Sequence, residues 1–420
     1  MNIKKGLTKI TGWQRFLPMF IILVIMSACP DSPTNPKDEN PYKQEPVDWP
    51  SLADSPWPMY RHDPQNTGRS EYLGPSTPNY FSWYSMIDIS ESSMAEGSDG
   101  NIYFADTKTL YAVDNNGANL WNYDLGCTDN NMTPIVNSGN RIFYVDRKGD
   151  LKVFDLDGTV LWQLSFNKPV SFYSMGYNGN LFVSTIIKLY KVSNDGQILF
   201  EVAETGKIEA LSNQGEQIYL IHDRSGILIA RDVNDGHKIW EKELPGKRLS
   251  YIVIDSNDNL FVRSVSDDQS QPSYLYSISK NGEENWIYTY HYPEAYKQYL
   301  EPFYPTIDWN GNIYFLATYQ DSSWHGQLVS LSNDGKTRWI LDNMLGICSL
   351  ISDINNNVYG YIRDGDNIYF ASVSAEGEIN WKVNSKVSLA NPYEPIIGSN
   401  RRIYIASSNY SISNIYVIGE

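Results

Sequence analysis

Cysteine is nearly absent, with three in 420 residues, at positions 29, 127 and 348. So few exclude a disulfide framework, and Cys127 and Cys348 read either as separate thiols or as one bridge between loops. Neither has an adjacent cysteine, and no Cys-x-x-Cys-His for haem attachment occurs. Histidine is equally scarce, and His222, His237, His291 and His325 lack metal-ligand spacing, which argues against zinc. Positive charge is in deficit too, with 33 Lys and Arg against 49 Asp and Glu. Four of those bases (Lys4, Lys5, Lys9, Arg15) lie in the first 28 residues, which hold no acid, so the remainder is more acidic still. Nucleic acid and anionic lipid surfaces bind through Lys and Arg clusters, so neither is an expected partner. The apolar run Phe16–Met26 is shorter than the ~20 residues a membrane span needs. No capped helical stretch breaks up the chain, which disfavours a parallel α/β fold.

What the N-terminus does contain is a basic stretch, that apolar run, and Ser27-Ala28 directly before Cys29. This order reads as an export signal. The sequence "IMSAC" resembles a lipobox, with Met26 where Leu is usual, and implies that Cys29 carries the acyl chains (palmitate among them) of a bacterial lipoprotein. Residues 29–55 are rich in Pro, Asn and charge without apolar periodicity, as expected of a disordered tether. The expected organisation is therefore a signal peptide at 1–28, a tether at 29–55 and a folded body at 56–420.

The body is repetitive. Gly117, Gly158, Gly196, Gly236, Gly282, Gly335 and Gly377 are each followed four residues later by Trp121, Trp162, Phe200, Trp240, Trp286, Trp339 and Trp381. Each glycine closes an Asn/Asp-Gly-type turn, and the aromatic falls on the next strand. Segments such as "RIFYVD", "LKVFDL" and "NIYFLAT" are short, β-branched or aromatic, and bounded by turn residues. Four strands every ~40 residues is the period of propeller blades. The last unit, from "EPIIGS" to Gly419-Glu420, has three strands, whereas "NYFSWYSM" near the other end is a strand without companions. Its Trp83 precedes Trp121 by 38 residues, the interval from Trp162 to Phe200. The expected fold is all-β: an eight-bladed β-propeller of four-stranded antiparallel blades, its ring closed by an N-terminal outer strand pairing with the C-terminal blade.

The Gly-x-x-x-Trp repeat resembles the tryptophan-docking repeat of the PQQ-type (quinoprotein-like) propellers. "WPMYRHDPQNTGRS" at Trp57–Ser70 resembles the lead-in of many such proteins, so the resemblance runs from Trp57 to Glu420. It implies that Trp83, Trp121, Trp162, Phe200, Trp240, Trp286, Trp339 and Trp381 dock one blade on the next, with Phe200 departing from the pattern. Enzymes of this family stack a quinone on adjacent cysteines and hold Ca²⁺ with Glu, Asn and Asp, a set not traceable here. The expectation is no enzyme activity, no cofactor and no metal. Lipid-anchored members of the family assist outer-membrane assembly, and fold alone does not fix function.

Arg61, His62 and Asp63 read as a structural cap near the closing blade, since triad members usually come from distant segments. The turns Asp255–Asn259, Asp308–Asn312 and Asp353–Asn357 read as Asx turns or as weak Ca²⁺ loops lacking the final acid. Long loops of blades five and six, which share one face, concentrate Tyr288, Tyr290, Tyr292, Tyr296, Tyr299, Tyr304 and Trp324. Such aromatics favour interfaces, so this face is the expected site for a protein, peptide or glycan partner. The expected function is a monomeric, non-enzymatic scaffold, exported and lipid-anchored to a bacterial membrane, the outer membrane in particular. A PQQ-dependent oxidoreductase on the same ring is the alternative.

Overall fold

The structure, a computed structural model, describes residues 40–419 apart from 87–92, 127–131, 223–224, 246–247, 266–271, 292–303, 321–323, 385–390, 393 and 410–411. The side chains at 80–86, 319–320, 324, 391–392, 408–409 and 412–413 also lie outside the description. The signal-peptide expectation and Cys29, together with Cys127, Tyr292, Tyr296 and Tyr299, lie outside the described residues.

The alternation of short apolar strands with Gly and Asn turns yields eight separate antiparallel sheets. Successive blades cover 95–124, 135–165, 170–203, 207–243, 248–290, 306–342 and 344–384, and the eighth combines 391–419 with Asn79–Met86. Within a blade, consecutive strands pair from the innermost outward. Middle strands such as Leu181–Thr185 and Leu260–Val265 are buried throughout, because both of their faces meet neighbouring blades. Outermost strands such as Lys238–Glu243 alternate exposed and half-buried, because one face meets water.

The half-buried positions of the outer strands hold the docking aromatics. At Gly158 and Gly335 the backbone is left-handed (φ 87° and 81°), and an added Cβ would stand 2.7 Å from the indoles of Trp121 and Trp286. Glycine is required there twice over, by conformation and by closeness. The indole N–H of Trp121, Trp240, Trp286 and Trp339 donates at 2.8 Å to the carbonyl of Leu156, Lys280, Asn333 and Ala375, each two residues before the glycine. Trp162 covers Gly196, but its buried N–H has no acceptor. Phe200 covers Gly236 through ring contact alone. Trp381 donates at 2.9 Å to Pro75, which precedes the strand Asn79–Met86.

That strand pairs antiparallel with Ile412–Gly419 and supplies the fourth strand of blade eight. In this pairing Ser82 stands opposite Tyr416. Phe81 stands opposite Val417, and Trp83 is a bulge between Ser82 and Tyr84.

The tether boundary moves as well. Trp49, Leu52 and Ala53 are buried against the ring, and the indole of Trp49 donates to the carbonyl of Met175 at 3.1 Å. The folded unit begins at Tyr42. The reason is Trp49 itself: an indole with an apolar body and one donor finds both partners in blade three.

Glu96 sits at the seam of blades one and eight, where the Ser399 hydroxyl donates to it at 2.7 Å. Burial pushes its carboxyl from about 4.5 up to about 7. The folded state therefore holds a proton that the unfolded chain releases, so stability falls as pH rises from about 4.5 to about 7. Glu96→Gln is expected to flatten that part of the Tm–pH profile and to raise Tm at pH 8. At the docking stations, Trp339→Phe should lower stability by about 1 kcal/mol and Trp339→Ala by about 3–5 kcal/mol, measured by urea unfolding.

Candidate functional site

An inner strand of a propeller blade pairs on one side only, and its other edge faces the central channel. The lead-in segment supplies the missing partners. In blades one and two, Glu96 N–H donates to the carbonyl of Trp57 and Val136 N–H to that of Pro58, both at 2.8 Å. In blade three, the hydroxyl of Ser51 reaches Gly176 at 2.7 Å. In blades four and five, Leu211 and Ile254 donate to Pro64 and Gln65 at 2.9 and 3.0 Å. Arg69 reaches the carbonyl of Asp308 in blade six at 3.3 Å, and in blade seven Ser352 exchanges bonds with Gly68 and Ser70 at 2.8 and 2.9 Å. The backbone turns tightly to do this, with left-handed conformations at Arg61, His62, Asn66 and Gly68.

Arg61, fully buried, is the pivot. Its Nη1 donates to the carbonyl of Leu350 at 2.6 Å and pairs with Glu394 at 3.3 Å, and its Nη2 donates to Pro305 and to the hydroxyl of Thr306, both at 2.9 Å. One guanidinium thereby joins blades six, seven and eight. The expected cap near the closing blade is in fact a central plug touching all eight. Arg61, His62 and Asp63 do not converge as a triad. His62 and Asp63 pair with each other at 3.0 Å. Burial works to raise the Asp63 carboxyl, and hydrogen bonds from His62 and Thr67 outweigh it and hold it below the usual range.

The plug reaches the ends of the inner strands that lead into the first hairpin turn. The opposite ends, nearer the face where blades connect, line a cavity of about 310 Å³ floored by Met59 and Tyr60 of the plug. Its walls are aromatic. Tyr60 packs edge-on to Phe172 and Tyr304, with centroids 6.1 and 5.7 Å apart, and Tyr304 lies 3.9 Å from Tyr251. Lys207 stands among them, 5.3 Å over Phe172 and 5.8 Å over Tyr251, paired with Glu209 at 3.0 Å. The Tyr304 hydroxyl donates to Glu209 at 3.2 Å and that of Tyr60 to Glu394 at 3.4 Å. Burial first, then the neighbouring carboxylates, raise both phenols well above their ordinary range, so both serve as donors.

The inner strands of blades three, four and five each carry a bulge, skipping Ser171, Glu209 and Tyr251 in the pairing with the next strand. Bulges re-aim side chains, and these three lie at the cavity or at the base of Lys207. Tyr251 also adopts φ 56°, an outlier for a bulky residue.

The cavity does not fit a quinone cofactor. Its lining contains no cysteine, carboxylate or side-chain amide, and the nearby Glu209 and Glu394 are already held by Lys207, Arg61 and tyrosine hydroxyls. Cys348 is a buried free thiol, pushed well up by burial. Among the described residues, the one cluster of three metal-type ligands, Asp232, Asp235 and His237, lies on the outer hairpin of blade four. The Asp-rich turns bind themselves: Asp308 accepts from the Asn310 and Asn312 amides at 2.9 and 2.8 Å and from the Tyr314 hydroxyl at 2.8 Å, and Asp353 repeats the pattern.

Of the expected aromatic patch, Tyr288, Tyr290 and Tyr304 pack into the ring, while Tyr292, Tyr296, Tyr299 and the Trp324 side chain lie outside the description. The outer strand of blade five continues to Tyr290, so its alternation turns Trp286, Tyr288 and Tyr290 toward blade six. Tyr290 is buried against Phe315 and donates to Gln327 at 2.5 Å, Tyr288 is half-buried on the same ring, and Tyr304 lines the cavity. Trp324 begins the strand Trp324–Leu331.

Eight four-stranded antiparallel sheets docked through Trp-on-Gly contacts define an eight-bladed β-propeller of the PQQ-repeat class. Solved structures of similar fold include BamB from Moraxella catarrhalis (13% identical, TM-score 0.58, over 80% of this chain and 99% of that one). The quinohemoprotein alcohol dehydrogenase ADHIIG of Pseudomonas putida HK5 is similar too (11%, TM-score 0.63, over 88% and 82%). A family profile described as outer membrane protein assembly factor BamB matches residues 82–250 and 178–418, and the chain belongs to that family. BamB of Moranella endobia (strain PCIT) is 23% identical over 246 residues, 51% of this chain and 63% of the relative, so the match spans less than two thirds of that relative.

Removing the pivot tests the plug. Arg61→Met removes the donor to the Pro305 carbonyl and one donor each from Glu394 and the Leu350 carbonyl, and should cost about 3–5 kcal/mol in urea unfolding. Faster amide exchange at Gly68, Ser70 and Ser352 should accompany it.

Proposed function

We propose that this protein is a non-enzymatic scaffold of the cell envelope, tethered through lipidated Cys29, that holds a protein or peptide partner during outer-membrane assembly. Membership of the family described as an outer membrane protein assembly factor carries this reading. The closed ring supports it: the plug consumes the inner edges and seals one end of the channel, leaving the loop face and the outer rim to partners. On that rim Leu120, Leu161, Leu199 and Ile239 stand exposed in blades one to four, where blades five to seven place Asn285, Arg338 and Asn380. The loop face of blades five and six, with Tyr292, Tyr299 and Trp324, is the proposed partner site.

Photo-crosslinking side chains at 299 and 324, compared with 161 and 199, test the assignment in intact envelopes. Crosslinks from the loop positions, lost when Tyr292→Ala and Tyr296→Ala are added at unchanged Tm, are expected. Crosslinks from the rim alone would overturn the loop face. Cys29→Ala should move the protein from the membrane to the soluble fraction. Stoichiometric PQQ and Ca²⁺ binding with dye-linked alcohol oxidation would overturn the non-enzymatic reading.

A further inference from the structure

The channel cavity differs in charge from the rest of the body. The chain carries a net −16, yet the described residues of the cavity lining include two cations, Lys207 and Arg147, and no acid. Arg147 is exposed at the turn after the second strand of blade two, and its guanidinium has no partner among the described residues. Lys207 is held in place by Glu209 and by the rings of Phe172 and Tyr251. Apart from Thr133 and Ser171, the rest of the lining is apolar or aromatic, including Met59, Met132 and Ile135. Its volume of about 310 Å³ lies at the lower end of ligand pockets.

Three features show that this lining is built rather than left over. The inner strands of blades three, four and five are bulged at Ser171, Glu209 and Tyr251, while the two-residue inner pairings of blades one, two and six carry no shift and those of blades seven and eight are split in two. Tyr251 keeps an unfavourable positive φ, which costs of order 1–3 kcal/mol and persists only where surroundings enforce it. Met59 and Tyr60 of the plug bound one side of the cavity, and the rings of Phe172, Tyr251 and Tyr304 line it beside the two cations.

We infer that the cavity is a binding site for an apolar or aromatic group bearing a single carboxylate, the carboxylate received by Arg147 and Lys207 and the body enclosed by Tyr60, Phe172 and Tyr251. The chemistry suits a peptide chain end or a free aromatic acid. A charge-assisted bond from an exposed guanidinium gives orientation, and the rings give contact area without an ordering cost beyond what Lys207 already imposes. No assembly role is needed for this inference, and it is tested without membranes or partner proteins.

The purified full chain is titrated by calorimetry and saturation-transfer NMR with 3-phenylpropionate, N-acetylphenylalanine, N-acetylphenylalanine amide, and a pentapeptide ending in phenylalanine as free acid and as amide. The acids are expected to bind at least about tenfold more tightly than the amides, a difference of about 1.4 kcal/mol. Arg147→Met, at an exposed position, should erase that preference at unchanged Tm, and Phe172→Ala should weaken acid and amide alike. Equal binding by the small acids and the peptide acid assigns the site to free acids, and binding by the peptide acid alone assigns it to chain ends. Absence of binding to 5 mM (roughly −3 kcal/mol), equal affinity for acid and amide, or an acid preference that survives Arg147→Met would overturn the inference.

Discussion

A sheet edge that faces a channel is a row of amides and carbonyls in need of partners, and a ring of eight blades has eight such edges. One stretch of chain, from Trp49 to Ser70, meets those of blades one to seven here and reaches blade eight through Arg61 and Glu394. It does so with main-chain bonds at Trp57, Pro58, Pro64, Gln65, Gly68 and Ser70, and with side chains where the main chain cannot reach. Arg61 is the extreme case, since a buried guanidinium is tolerable only when nearly every donor is used. It is fully buried, and only its Nε lacks a partner. The docking aromatics fix each blade to the next, whereas the plug fixes every blade to a common centre.

The same segment defines the site. Because it bonds to the turn-side ends of the inner strands, it leaves their other ends unpaired and lined by side chains rather than backbone. Blades three to five use that freedom through bulges, which turn Ser171, Glu209 and Tyr251 out of the ladder. Glu209 then anchors Lys207 from beneath, so that an ammonium stands between aromatic rings with its charge partly answered. The burial that keeps Tyr60 and Tyr304 protonated is the burial that makes them rigid walls.

The fold was legible because its signals are local. A glycine, an aromatic four residues on and a two-residue turn between short apolar strands all lie within one hairpin, and Gly158 with Trp162 or Gly335 with Trp339 announce themselves. What spans the ring was not. Trp381 reaches the Pro75 carbonyl across the seam, a partner 306 residues away that no hairpin announces. The outer strand of blade five ran on to Tyr290, so residues read as loop became interior. Cavity residues gave no local sign at all. Phe172, Lys207 and Tyr251 look like ordinary strand residues, and only the meeting of three inner strands with Tyr60 of the plug, far away in sequence, makes them a site.

The plug and the eighth blade also set an order of events. Trp49–Ser70 and Asn79–Met86 leave the ribosome before any blade does, yet their partners Ser352 and Ile412–Gly419 come last. Early segments must therefore wait, with their bonds unmade, while hundreds of residues fold around an empty axis. Contacts of such sequence separation are slow to form and expose unpaired edges meanwhile. Until Ile412–Gly419 pairs with Asn79–Met86 the blades form an open array, so closing the ring waits on the strand that lies farthest along the described chain.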